Sequence, residues 1–169
     1  MLMLMLAMIE GRDLRGAATD GATSQITPKI LQILRRSGFA AVVPTYLPPG
    51  FRCGNVSLDE GEEGFDLQMV WLREEDQATI TLQMAWEGLG DYLPGDEGVT
   101  EKEVATDFGE VVLYGSEVEG VYEWGHNWVE VPETARGEVA QYFMLLGSGC
   151  PLDEAAKVLG SVKRLTPLP

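Results

Sequence analysis

Hydrophobic and polar residues alternate most clearly between positions 65 and 86. Two runs, 65–71 and 78–86, place an apolar side chain at every second position, and the short polar segment 73–77 separates them. A period of two is that of a β-strand with one buried face. The pattern therefore predicts an antiparallel hairpin whose apolar side packs against a core.

Further strands are predicted on both sides of this hairpin. One runs from Phe51 to Leu58, and the later segments are 103–105, 109–114, 121–124 with 128–131, and 140–146. Apolar residues alternate again in the last segment, at Ala140, Tyr142, Met144 and Leu146. Gly125-His126-Asn127 is interpreted as a turn, and the glycine-rich stretch 87–100 as a long surface loop.

Two helices are predicted, one near each end of the chain. Thr27 before Pro28 is typical of a helix start, Ile30 and Leu34 share one stripe, and Gly38 is a C-terminal stop. The second helix covers 151–162, with acidic residues early and basic residues at its end. Between the first helix and Phe51, the prolines predict an extended segment leading into a turn.

These elements predict an α+β fold: a curved antiparallel sheet of about six or seven strands, arranged as a meander and flanked by an N-terminal and a C-terminal helix. The single domain is predicted to cover residues 26–169. Residues 16–25 have the composition of a flexible linker. The apolar run 1–9 is either the remnant of a truncated signal peptide or a frayed or docked N-terminus.

Acidic residues dominate the middle of the chain. The net charge is −15, and residues 59–138 hold 22 Asp/Glu against three Lys/Arg. Such a field repels phosphate backbones and anionic head groups, so the charge argues against nucleic-acid partners and anionic membrane surfaces. The acidity either keeps the surface soluble or attracts cations or a basic partner.

No catalytic or metal-binding motif is found, and no cofactor is predicted. Cys53 and Cys150 belong to no Cys/His ligand cluster, and they could pair in an oxidising compartment or remain two separate thiols. The acidic runs 59–63 and 74–76 lack the spacing of an EF-hand loop and are interpreted as solvated charge. Carboxylates are abundant, yet no pair is distinguished by its spacing as a hydrolase pair.

Aromatic residues are the best candidates for a binding site. The set that could line a concave sheet face and bind an apolar or peptide ligand is Trp71, Trp86, Tyr122, Trp124 and Trp128. Packing in the core accounts for the same residues. An exposed Trp124 or Trp128, beside the predicted His126 turn, would mark a binding surface.

The order of several short motifs resembles a bacterial domain of unknown function. The motifs are Pro44-Thr-Tyr-Leu-Pro-Pro-Gly-Phe51, Ile80-Thr-Leu-Gln83, a Trp124-Gly-His-Asn-Trp128 hairpin, a strand ending at Gly147, and the helix 153–162. That domain occurs in anti-sigma-associated and exported proteins and is similar to the lipoprotein-carrier and sigma-E-regulator (LolA/RseB-like) fold. The resemblance covers residues 41–165.

The resemblance implies a non-enzymatic binding or sensing module that acts outside the cytoplasm. Its compartment would be the periplasm or another extracytoplasmic one if the true start of the sequence lies upstream. Its partner would be an unknown protein or an apolar ligand. The chain departs from exported and membrane-attached relatives because it has neither a complete export signal nor a membrane-spanning segment. Two alternatives stay open: an interaction subunit whose acidic face meets a basic partner, and a hydrolase that uses two carboxylates.

Overall fold

The structure is a computed structural model that describes residues 25–37, 41–60, 65–86, 88–89, 98–131, 133–134, 137–138 and 140–165. The predicted linker and the apolar N-terminal run lie outside these residues, apart from Gln25. So does most of the predicted loop 87–100. The side chain of Phe65 is likewise not described.

Two helices and eleven strands make up the described chain. In order they are α1 (Pro28–Ser37), β1 (Val42–Pro44), β2 (Arg52–Glu60), β3 (Phe65–Arg73), β4 (Ala78–Ala85), β5 (Thr100–Thr106), β6 (Gly109–Val118), β7 (Val121–Glu130), β8 (Glu133–Thr134), β9 (Gly137–Glu138), β10 (Gln141–Ser148), α2 (Leu152–Gly160) and β11 (Val162–Arg164). The predicted α+β class is confirmed.

The main sheet is open and has seven strands in the order β2-β3-β4-β10-β7-β6-β5, with every neighbouring pair antiparallel. Strands β2 to β4 form one meander and strands β5 to β7 another. Strand β10 departs from the predicted chain order because it inserts between β4 and β7. Its sequence is apolar on both faces, which suits a central strand shielded by neighbours on both sides.

The predicted hairpin is confirmed as β3 and β4. Trp71 lies opposite Ile80, and Leu67 lies opposite Met84. All four of these side chains are fully buried. Because burying a large apolar side chain contributes about 1.5–3 kcal/mol, this hairpin supplies a large share of the core.

Buried residues of both helices belong to the same hydrophobic core as these strand residues. The Thr27 hydroxyl accepts a hydrogen bond from the Ile30 N–H at 3.2 Å, which confirms the predicted start of α1. Helix α2 buries Ala155, Val158 and Leu159. The ribbon β1–β11 adds Val42, Val43 and Val162 to the same core.

The predicted turn at Gly125-His126-Asn127 is wrong. Strand β7 continues through these residues, and Gly125 and His126 lie opposite Leu146 and Leu145 of β10. The eight-residue register with β10 therefore overrides the local turn preference of glycine and asparagine.

The faces of β10 also differ from what its alternating residues suggest. Gln141, Phe143 and Leu145 are the buried set, whereas Tyr142, Met144 and Leu146 are half-buried on the opposite face. Both sets are largely apolar, so a period of two alone could not identify which one faces the core.

Candidate functional site

Strands β6 and β7 are paired along only part of their length. Their register begins beside the connecting turn, at Val118 and Val121, and ends at Tyr114 and Gly125. Beyond that pair, the first half of β6 continues along β5, and the last half of β7 continues along β10. An opening results between 109–113 and 126–130, which we name the β6–β7 gap.

His126 bridges the narrow end of this gap. Its Nδ1 lies 2.9 Å from the Val112 carbonyl, and because a carbonyl only accepts, Nδ1 must carry the proton. The other nitrogen, Nε2, is buried and has no hydrogen-bond partner among the described residues. Burial lowers the pKa of His126 because an imidazolium would lose its hydration there, although the Val112 carbonyl acts in the opposite direction. The imidazole is therefore neutral at pH 7.

Trp128 is the centre of a cluster of four stacked rings that includes His126. Its ring centroid lies 5.1 Å from that of Phe143, 5.7 Å from Phe108 and 5.9 Å from His126, with interplanar angles of 12°, 26° and 11°. The indole Nε1 donates to the Glu130 carboxylate at 3.1 Å. These contacts fix the orientation of a half-buried tryptophan, so its exposed part is a preorganised apolar surface.

A cavity of about 530 Å³ opens at this stack. It is lined by Asp107, Phe108, Val111, Trp128, Val129, Glu130 and Arg164. Its volume is within the usual range of about 300–1,000 Å³ for ligand sites. An aromatic floor with charged groups around it can hold an apolar group and orient the polar atoms attached to it.

Two neighbouring residues of β11 connect the two sides of the gap. Lys163 forms an ion pair with Asp107 at 2.5 Å, in the turn between β5 and β6. Arg164 forms an ion pair with Glu130 at the end of β7, and its guanidinium carbon lies 5.8 Å from the centroid of the Phe108 ring. Both carboxylates that line the cavity are therefore already paired with a cation.

A second cavity, of about 700 Å³, lies at the opposite end of β7. Its lining includes Tyr122, the exposed Val121 and the buried Cys150. Residues from the β3–β4 turn and from the start of α2 complete it. This cavity lacks the stacked aromatic floor of the first one.

The five predicted aromatic residues do not form one site. Trp71 and Trp124 are fully buried, and Trp86 is 8% exposed. Trp128 lines the smaller cavity, and Tyr122 lines the larger one, at opposite ends of the same strand. Phe108 and Val129 were not identified from the sequence, because neither belongs to a motif and the gap that joins them is a property of strand pairing.

The two cysteines are free thiols in the structure. Cys53 is half-buried on β2 opposite Trp71, and Cys150 is buried just before α2. Burial raises the pKa of both thiols, since a thiolate would be poorly hydrated at either position. Pairing under oxidising conditions stays a prediction.

The described part of the chain contains no group of three or more His, Cys, Asp or Glu residues placed to hold a metal ion, and no helix long and apolar enough to cross a membrane. One carboxylate pair, Asp59 and Asp66, lies directly across the β2–β3 hairpin. Partial burial, followed by the nearby Asp59 charge, raises the pKa of Asp66. Neither aspartate lines either cavity described above.

Comparison with known proteins gives only distant similarity. No family model matches the chain, and no curated protein matches it. Among solved structures, a chain of the Pseudomonas aeruginosa MucA/MucB complex is 14% identical with a TM-score of 0.39, over 75% of this chain and 35% of that one. A structure of MucB in complex with MucA(peri) gives 13% identity and a TM-score of 0.40, over 75% and 37%.

MucB is an RseB-like protein, and an RseB-like fold is also what the sequence resemblance names. This chain spans only a little over a third of the length of those structures. At TM-scores near 0.4, this similarity indicates nothing about the function of the chain.

Proposed function

We propose that this chain is a non-enzymatic binding module whose binding site is the cavity at Trp128. The observation that carries the proposal is a half-buried tryptophan, fixed by three stacked rings, at a cavity beside the 52% exposed Val129. Large apolar groups left accessible beside a formed cavity favour contact with another molecule. The bound group would be an apolar ligand or an apolar part of a protein partner.

The surrounding charges favour binding over catalysis. Asp107 and Glu130 are each paired with a β11 cation, so neither is a free general base. His126 uses Nδ1 to bind the Val112 carbonyl, while its Nε2 is buried rather than open to the cavity. Action outside the cytoplasm, which the resemblance implies, stays a separate prediction.

The proposal is tested with Nile red, a neutral dye whose fluorescence increases in apolar sites. Trp128→Ala should reduce dye affinity at least about tenfold, a loss of about 1.4 kcal/mol. Val121→Ser is the matched control, because Val121 lines the other cavity and is 45% exposed. Its dye affinity should equal that of the wild type.

Trp128→Phe provides a second variant that retains a ring in the stack, should the alanine variant fail to fold. It should bind the dye with intermediate affinity and melt close to the wild-type temperature. Equal dye affinity in wild type and both Trp128 variants would refute the proposed site. A loss confined to Val121→Ser would move the site to the second cavity.

A further inference from the structure

The direction of the main-chain groups in β7 determines what can bind in the β6–β7 gap. The Tyr122 carbonyl accepts a hydrogen bond from the Gly149 N–H at 2.9 Å, on the side of β10. Main-chain groups alternate in direction along a strand. The N–H and C=O groups of even-numbered β7 residues therefore point to β10, and those of odd-numbered residues point to β6. The N–H and C=O of Val129 therefore point into the gap, where the β6–β7 register has already ended.

The main-chain groups of β6, on the other side of the gap, are consistent with this assignment. The Val112 carbonyl points towards β7 and is satisfied by the His126 side chain rather than by a β7 main-chain N–H. Beyond it, residues 109–111 pair only with β5 among the described strands. The gap is thus a sheet edge exposed inside the sheet, and an unpaired edge is a template for another extended segment.

Side chains along this edge of β7 alternate between the two faces of the sheet, so an added strand would contact both faces. Val129 and Val131 are 52% and 61% exposed and are two residues apart. Trp128 and Glu130, at the alternate positions, line the cavity. A segment lying beside β7 would cover the valines with one set of its side chains. Its other set would enter the cavity against Trp128 and Phe108.

The charge of this part of the sheet defines the chemistry of the segment. Residues 100–131, all of them described, contain eight Asp/Glu and one Lys. That lysine, Lys102, is already ion-paired with Asp153 of α2. Lys163 and Arg164 of β11 pair with Asp107 and Glu130, which leaves six of the eight carboxylates without an ion pair among the described residues. A segment that carries Lys or Arg at its polar positions would be attracted to this surface, and an acidic one would be repelled.

We propose that an extended, basic segment of a partner protein binds by strand addition to the Val129 edge of β7, with alternate apolar side chains in the Trp128 cavity. The proposal rests on the function proposed above and names its partner. Main-chain hydrogen bonds would contribute affinity, while the cavity and the acidic surface would select the side chains.

The test uses a short synthetic peptide in which Val or Leu alternates with Thr or Lys. Two further peptides have the same side chains but carry N-methyl groups on either the odd or the even main-chain nitrogens. The parent should bind the wild-type protein in calorimetry at low salt and weaken as salt rises. At least one N-methylated form should bind about tenfold more weakly or worse, because it cannot donate along one edge.

Val129→Pro removes the N–H that points into the gap, and Val129→Ala is its matched control with the main chain intact. The proline variant should bind the parent peptide about tenfold more weakly than the alanine variant. If the proline variant does not fold, the three peptides with wild-type protein still decide the question.

Equal binding of all three peptides would overturn strand addition and leave the binding function standing, provided that Trp128→Ala still weakens binding. Absence of binding by the parent at low salt would overturn strand addition by a basic segment, while Nile red would still report on the cavity. Binding that Trp128→Ala does not change would contradict the proposed function itself.

Discussion

The indole of Trp124 lies directly over Gly147 on the neighbouring strand. A Cβ at position 147 would be 2.2 Å from a carbon of that ring, closer than any real contact allows. Gly147→Ala should therefore destabilise the protein by about 2–3 kcal/mol, since the core must move to admit one methyl group. Urea unfolding measures the effect.

Gly54→Ala is the matched control for this substitution. Gly54 also lies in a strand, but its nearest neighbouring atoms are 3.8 Å from a built Cβ, which is ordinary contact. Its unfolding free energy should change by less than about 1 kcal/mol. Similar losses in the two variants would mean that Trp124 does not lie over Gly147.

His126 should make stability depend on pH. Because burial lowers its pKa in the folded state below the ordinary value near 6.5, the unfolded chain binds the proton first. The stabilisation is complete above about pH 6.5 and decreases as pH falls towards the folded-state pKa, by at most about 1.4 kcal/mol per pH unit.

The contribution of His126 is isolated with His126→Gln, which keeps a donor for the Val112 carbonyl but does not titrate. The difference in unfolding free energy between wild type and variant should shift against the wild type between about pH 7 and 5. A difference that stays constant over this interval would show that His126 has the same pKa in both states.

Asp59 and Asp66 should repel each other across the β2–β3 hairpin. Replacing either with asparagine should stabilise the protein at pH 7 by about 0.5 kcal/mol, because directly opposed like charges destabilise a strand pair. The double variant should add little to either single one. The gain should disappear as pH falls through the raised pKa of Asp66, where that carboxyl becomes neutral and the repulsion ends. Additive gains would mean that the two charges do not interact.

Acrylamide quenching should distinguish Trp128 from the other three tryptophans. Trp71 and Trp124 are fully buried and Trp86 is 8% exposed, so Trp128 should supply most of the quenchable emission. Trp128→Phe should remove that fraction, whereas Trp86→Phe should leave it nearly unchanged. A quenchable fraction that survives in Trp128→Phe would indicate that the cavity at Trp128 is closed in solution.

The sequence predicted those features that depend on neighbours along the chain. The β3–β4 hairpin and the Thr27 start of α1 follow from local periodicity and capping, and the structure confirms both. The position of β10 and the continuity of β7 depend on pairing between distant segments, which periodicity does not specify.

The candidate site also combines a residue that local sequence indicates with a gap that depends on the pairing of distant segments. Trp128 was predicted as a site residue because tryptophans beside a polar turn are conspicuous in a sequence. The gap around it arises where a register ends, between Tyr114 and Gly125, and no local signal marks that position. Phe108 reaches Trp128 only because the β5–β6 turn lies across the gap.

Lys163 and Arg164 are adjacent in the chain, yet their ion-pair partners lie on opposite sides of the β6–β7 gap. These two ion pairs therefore add, from outside the sheet, to the His126–Val112 hydrogen bond and the Phe108–Trp128 stack that also join the two sides. Both cations are about half exposed, so dissolved ions compete for their carboxylates. Added salt should therefore weaken these two ion pairs while the stacked rings and the hydrogen-bonded strands between them stay in place.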